Sequence, residues 1–368
     1  MSKTVPRVIG KTPKLQQICA QLCEIASELG PDEKMPTAIQ LRDTIGVSMA
    51  TLNTALGELE KQHVITRRHG VGIFVSSQLG FRTLALLCDS SSFRDSGRSP
   101  FYDLLFDALR ARALSHRESI EFHFTQPHGA IEGRLQRALA DDIRSGRIAG
   151  VIGVGLSNET THWLATQNVP FVALFGPAFD ENHVSVDLNI EKMVQEGAGY
   201  LLRSGCDDFE IWDTRRHSPS ARIFAALKAI SVTWDEANYF FAPVRAADGK
   251  SVEIQTVGFE RAMKVWSGPR SQWPQGLLIC NDMMTHGVLM AWQKLGVRVG
   301  TDVHLATHTN AGSAVLLGHT GTWAELEYHP VEVVNTILTY LEALMRGERA
   351  PRSHIAIEPR FGLRSDSS

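Results

Sequence analysis

The chain lacks a cysteine framework, a long apolar run, an excess of positive charge and any familiar catalytic signature. Its five cysteines (Cys19, Cys23, Cys88, Cys206 and Cys280) show no paired spacing of the kind that staples small secreted domains. Cys19 and Cys23 sit one helical turn apart in an apolar pattern, which reads as reduced thiols in a core. No stretch reaches the roughly 18 apolar residues of a membrane span, and no apolar amino-terminal segment resembles a signal peptide. The expectation is a soluble cytoplasmic protein without a membrane partner. With 37 Lys and Arg against 40 Asp and Glu the net charge is −3, so the chain as a whole is no polycation. There is no HExxH, no P-loop and no nucleophile elbow. Gly153 and Gly155 follow an apolar run, but the third glycine and the acidic partner of a dinucleotide site are missing. His304 and His308 stand four apart in an expected strand, where packing or cleft lining accounts for them. No catalytic residue, cofactor or metal is expected.

What is present has two parts. A length of 368 residues exceeds one ordinary core, and 43% apolar with 21% charged residues is globular composition. Residues 1–80 hold five Lys and four Arg against seven acidic residues, a balance of +2 that leaves −5 for the rest. Leu15, Ile18, Leu22, Ile25 and Leu29 form a helical stripe ending at a Gly-Pro turn. A short helix over about 37–45 follows and ends at Gly46. "VSMATLNTALGELE" (47–60) then places Leu52, Ala55, Leu56 and Leu59 on one stripe, with Ser48 as its cap. Helix, glycine turn, helix outlines a helix-turn-helix. Val64-Ile65, a turn at Arg67-Arg68-His69-Gly70 and Ile73-Phe74-Val75 add a β-hairpin, giving a winged helix.

Residues 11–77 resemble the winged-helix module of the GntR regulator family, in register and without a gap. Pro36, Leu41, Gly46, Val47, Ser48, Leu56, Leu59, Gly70, Gly72 and Val75 agree with its pattern. Ile39, Met49, Asn53 and Val71 stand where that family places arginine or another basic residue. The resemblance implies contact with a DNA operator through Thr37, Ser48, Thr51, Asn53 and Thr54, and through Lys61, Arg67, Arg68, His69 and Gly70. Asn suits adenine and Thr the thymine methyl, while the basic residues suit phosphates.

After a short joint (78–81), apolar runs alternate with helical patterns: "TLALLC", "IAGVIGVG", "VPFVALF", "DFEIW", "GLLIC" and "VHLATHT". Such runs read as strands of parallel α/β sheets covered by helices, whose ligands sit at the carboxyl ends of the strands. Residues 82–368 resemble the LacI/GalR effector domain, a relative of periplasmic binding proteins. "SPFYDLLFDALRARA", "LLICNDMMTHGVLMAWQKLGVRVGTDVHLATHTN" and the tail "IEPRFGLRSDSS" carry the likeness. The whole is similar to regulators of the arabinose-repressor type. The resemblance implies two lobes, one at about 82–187 and 325–353 and the other at about 188–324 and 354–368, with a cleft between them. It also implies a side-by-side homodimer on a palindromic operator.

Effector contacts are expected from Asp282 and Asn281, Arg222 and Ser218, Phe101 and Phe175, and His308, Thr309 and Asn310. A carboxylate accepts from sugar hydroxyls, a guanidinium fork suits hydroxyls or a carboxylate, and an aromatic ring stacks on an apolar sugar face. Phe175 and Val154 replace polar residues of relatives, and "THTN" (307–310) replaces a stretch with two acidic groups. A less hydroxylated or an anionic ligand fits such a pocket. The expected function is a ligand-responsive repressor. The alternative is a solute sensor whose winged helix serves in assembly.

Overall fold

The computed structural model describes residues 13–77, 79–90, 100–126, 130–176, 183–214, 219–233, 235–243 and 252–365. The head comprises α1 (Pro13–Leu29), α2 (Ala38–Ile45), α3 (Met49–Lys61), β1 (Ile65–Arg68) and β2 (Gly72–Val75). The stripe of α1 is turned by one residue from the expected one. Ile18, Cys19, Leu22, Cys23 and Ala26 are buried, whereas Leu29 is 40% exposed. The thiols behave as small apolar groups, and burial pushes Cys19 up to about 11 and Cys23 to about 12, so both stay protonated at neutral pH. β1 runs through Arg67 and Arg68, which therefore lie on a strand; the turn is His69–Val71, with Gly70 at φ +71° and Gly72 at +140°.

The body continues with β3 (Arg82–Asp89), α4 (Phe101–Ser115), β4 (Glu118–Thr125), α5 (Gly133–Arg144), β5 (Ile148–Val154), α6 (Asn158–Ala165), β6 (Phe171–Leu174) and β7 (His183–Leu188). Then come α7 (Ile190–Arg203), β8 (Phe209–Asp213), α8 (Pro219–Ala229), β9 (Tyr239–Phe241), α9 (Ile254–Trp266), β10 (Gly276–Ile279), α10 (Asp282–Leu295), β11 (His304–Asn310) and β12 (Trp323–Tyr328). The chain ends with α11 (Pro330–Met345), β13 (His354–Ile357) and β14 (Arg360–Arg364).

Two six-stranded sheets result. The first has the order β13-β7-β6-β5-β3-β4 and the second β14-β12-β11-β10-β8-β9. All pairings are parallel except β12 with β14. Strands covered on both faces must be apolar throughout. In β3, Leu84 and Leu86 enter one core while Ala85 and Leu87 enter the opposite one. The chain passes between sheets at Leu188–Ile190, at Tyr328–Pro330 and at Ile357–Arg360. This relocates two boundaries: β12 lies in the second sheet, not the first lobe's 325–353 segment, and β13 lies in the first sheet, not with 354–368. The second passage occurs where Pro330 opens α11, because proline fits a first helical turn but cannot extend a strand ladder. Among the described residues no helix is long and apolar enough to cross a membrane.

Candidate nucleic-acid interface and effector cleft

The helix-turn-helix is locally determined. Thr37 and Gln40 form a capping box on α2, and Gly46 closes it in the left-handed conformation (φ +72°). Ser48 then caps α3, its Oγ accepting from the Thr51 N–H at 3.1 Å. Leu52, Ala55, Leu56 and Leu59 face the head's core, which leaves Asn53 and Thr54 exposed on the other side. Thr54 donates to the Ala50 carbonyl at 3.0 Å, and Thr51 approaches Ser48 Oγ at 2.7 Å, so both hydroxyls have intrahelical partners. Ser48→Ala removes the cap and is expected to cost the head about 1 kcal/mol. Amide exchange in peptides covering α3 then accelerates about fivefold.

Most basic groups of this face are already paired. Arg67 reaches Glu60 on α3, Nε to Oε2 at 2.8 Å, and its N–H donates to Oε1 at 3.0 Å. That hydrogen bonding holds the Glu60 carboxyl below the usual carboxylate range. Lys61 pairs with Glu58 at 3.1 Å and Arg42 with Asp43 at 2.5 Å. His69 and Gly70 are exposed in the wing turn. Ile39 and Val71, where related modules carry basic residues, are 60% and 56% exposed. Lys34, which no sequence period marks, lies beside the wing over the Phe74 ring.

In parallel sheets of this kind the carboxyl ends of the strands are the expected ligand-binding edge. On the second lobe Asn281 caps α10, accepting from the Met284 N–H at 2.9 Å. Its carbonyl oxygen is thereby committed to the helix. Asp282 is 1% exposed; Oδ1 accepts from the Met283 N–H and Oδ2 from Asn310 Nδ2, both at 2.9 Å. Asn310 Oδ1 lies 3.2 Å from His308 Nε2, and His308 meets Tyr328 edge-on at 5.3 Å. Tyr328 donates to the Asn189 carbonyl at 2.8 Å, at the first passage between lobes. Hydrogen bonds from Asp282 to Asn310 and His308, an edge-on ring contact from His308 to Tyr328 and the Tyr328 hydrogen bond thus link the carboxylate to the first passage between lobes. Thr309 Oγ1 is buried and has no hydrogen-bond partner among the described residues.

On the first lobe Phe101 is 4% exposed and packs against Phe175 with ring centroids 5.8 Å apart. Phe101 is therefore a wall of the core more than an open stacking face. Phe175 holds φ +59°, a left-handed conformation that costs a bulky residue about 1–2 kcal/mol. Ser90, just after β3, buries a hydroxyl with no partner among the described residues. Leu104 of α4 faces Gly312 after β11; a Cβ on Gly312 would lie 3.5 Å from Leu104 Cδ2. The lobes touch there.

Arg222, on α8, forks onto Glu191, Nη2 to Oε2 at 2.7 Å, and lies 3.8 Å from Asp187. It ties the second lobe to the first passage between lobes. Hydrogen bonding from Arg222 holds the Glu191 carboxyl below its ordinary range. Ser218 lies outside the described residues. Sequence reading missed Lys34, Glu60, Glu191 and Tyr328, whose partners lie on other elements at irregular separations. Among the described residues no group of three or more His, Cys, Asp or Glu is placed to hold a metal.

Comparison with known proteins agrees with this architecture. Residues 16–75 match the bacterial regulatory proteins of the gntR family, and residues 198–365 match a periplasmic binding protein-like domain. The arabinose metabolism transcriptional repressor of Geobacillus stearothermophilus is 24% identical over 207 residues, 52% of this chain and 52% of that protein. The alignment thus spans about half the length of that relative. A regulatory protein of the LacI family from Chloroflexus aggregans superposes with a TM-score of 0.61 at 16% identity, covering 77% of this chain and 98% of that one. A LacI-family regulator from Lactobacillus casei with bound sucrose gives 0.54 at 15% identity, covering 77% and 99%. The chain joins a head that matches the gntR-family model to a body that matches a periplasmic binding protein-like domain and shares its fold with LacI-family structures.

Proposed function

We propose that this protein is a DNA-binding transcriptional repressor whose operator affinity is set by a small molecule, a sugar or sugar derivative, bound between the lobes. The observation that carries this reading is the joining of a capped helix-turn-helix to a two-lobed body with a buried carboxylate, Asp282, at its cleft. Neither part alone calls for the other. A regulator needs both, because a ligand transmits only if it binds two cleft states with different affinity. The relative named for arabinose metabolism and the neighbour holding sucrose support a sugar as the ligand. The test is selection from a random duplex pool at two salt concentrations. An enriched palindrome whose affinity falls with salt is expected; a folded protein that enriches no sequence overturns the reading.

The working form in this proposal is a cytoplasmic homodimer joined through α4 and β4. β4 is an edge strand, and Leu114, Phe122 and Phe124 beside it are 63%, 45% and 51% exposed. Leu114 and Phe122 border a recess of about 440 Å³ that Phe81 and Phe106 also line. Asp107 and Arg110 lie on the same face without a charged partner among the described residues. Two copies of α4 crossing antiparallel about a two-fold axis set Asp107 opposite the partner subunit's Arg110, and the reverse. Leu114→Glu is expected to shift sedimentation from dimer to monomer. Operator affinity then falls roughly 100-fold through lost avidity. A dimeric Leu114→Glu protein would place the interface elsewhere.

A further inference from the structure

We infer that Lys34 and Arg68, gathered over the ring of Phe74, form the subsite of the head that grips a phosphodiester of the nucleic-acid backbone. The inference rests on the DNA-binding reading and assigns which cations carry it. From Lys34 to the end of the hairpin the head carries five Lys and Arg side chains: Lys34, Arg42, Lys61, Arg67 and Arg68. Three are spoken for within the chain. Arg42 is bonded to Asp43, Lys61 to Glu58 and Arg67 to Glu60, at 2.5, 3.1 and 2.6 Å. A phosphate approaching any of them must compete with a carboxylate already in place. Lys34 and Arg68 have no acidic partner among the described residues.

Their placement is built by the backbone. The segment before α2 runs along β2: the Met35 N–H donates to the Ile73 carbonyl at 2.9 Å, and the Val75 N–H to the Glu33 carbonyl at 2.8 Å. Lys34 is thereby bridged to Phe74, while β1 sets Arg68 opposite Gly72 on the other side. Both cations lie near the Phe74 ring, its centroid 5.9 Å from Lys34 Nζ and 4.6 Å from Arg68 Cζ. The ring face attracts both and shortens neither's reach to solvent. Gly72 completes the seat, since a Cβ there would lie 2.9 Å from Lys34 Cε. Two like charges held over one ring repel each other, and an anion between them removes that repulsion. At the flank of α3, beside the wing turn, the anion presented is a backbone phosphate.

The test measures affinity of the full-length protein for its selected duplex over a range of salt concentrations by fluorescence anisotropy. Lys34→Ala and Arg68→Ala are each expected to lower the slope of log affinity against log salt by about one, and the double variant by about two. Lys34→Arg keeps the slope. Lys264→Ala, which removes an equal charge from α9 of the body, leaves it within a few tenths. Both residues are exposed, so the variants retain the wild-type thermal transition. Unchanged slopes in Lys34→Ala and Arg68→Ala, with wild-type binding steeply salt-dependent, overturn the assignment while the DNA reading stands. An equal loss in Lys264→Ala also overturns it, because the slope would then follow total charge. Wild-type binding without salt dependence removes the DNA reading and the subsite together.

Discussion

Gly287→Ala is expected to destabilise the second lobe by about 3 kcal/mol or more while leaving the head intact. Helices α9 and α10 cross with their backbones in contact. A Cβ on Gly287 would lie 1.9 Å from the Gln255 carbonyl oxygen and 2.9 Å from the Phe259 nitrogen. On the other helix a Cβ on Gly258 would lie 2.4 Å from the Met284 carbonyl oxygen. These neighbours are main chain, not flexible side-chain ends, so no rotamer change relieves the clash. The helices must separate, and the interior they share is close-packed. That interior holds Trp266 and Trp292, 4.9 Å apart, with Trp212 6.0 Å from Trp266. Tryptophan fluorescence therefore reports chiefly on this lobe: Trp212, Trp266, Trp292 and Trp323 are buried there, Trp163 packs in the first lobe, and the head contains no tryptophan. The urea midpoint should fall sharply for Gly287→Ala, with amide protection of α3 unchanged. Gly362→Ala, whose Cβ meets nothing within 4 Å, is the matched control and should shift the midpoint by under about 0.5 kcal/mol equivalent. A Gly287→Ala midpoint equal to that control would mean that α9 and α10 can slide apart freely. The consequence for function is direct, because α10 carries Asn281 and Asp282 at its first turn.

The reach of sequence reasoning follows the range of the interactions. Caps are local, so Ser48 and Gly46 marked the helix-turn-helix without any tertiary information. Strands buried on both faces are continuous apolar runs, so β3, β5 and β10 stood out. The edges of the lobes did not. β12 reads "WAELEY", an alternating pattern that fits either sheet, and β13 and β14 are short terminal strands with exposed positions. Which sheet each joins is decided by pairing with distant strands, β11 for β12 and β7 for β13. In the head, the identity of a cation was legible but its availability was not. Arg67 and Glu60 are seven residues apart on different elements, and only the folded hairpin brings them to 2.6 Å. In the cleft, Asp282 was found through its place after a buried strand. Its coupling to Asn310, His308 and Tyr328 joins β11 and β12 to α10, and no local period carries that information.

On the proposed repressor reading, Asp282→Asn is expected to leave operator binding within about threefold of wild type and to raise about 100-fold the effector concentration at which operator affinity changes. Hydrogen bonds to a charged group contribute about 1.5–3 kcal/mol, and 1.4 kcal/mol is tenfold in affinity. The substitution is nearly isosteric, so the buried site keeps its packing, and the head lies on separate elements. Its effect has two sources. A ligand hydroxyl loses an anionic acceptor, and the new amide can turn a donor toward the Asn310 Nδ2 that now donates at 2.9 Å. The second effect would disturb Asn310 against His308 and, through Tyr328, the hydrogen bond to Asn189 at the hinge. The reciprocal variant Asp282→Asn/Asn310→Asp separates them. It restores a donor facing an acceptor across the same gap, with the charge moved to β11. If positioning of the chain to the hinge dominates, the double variant recovers at least tenfold of the lost response. If direct acceptance of ligand hydroxyls by Asp282 dominates, it recovers nothing, since the carboxylate has left the first turn of α10. Either result is read from the same release titration, with duplex affinity in the absence of sugar confirming that the head is unchanged. A single Asp282→Asn protein that responds as wild type would remove Asp282 from the effector site altogether.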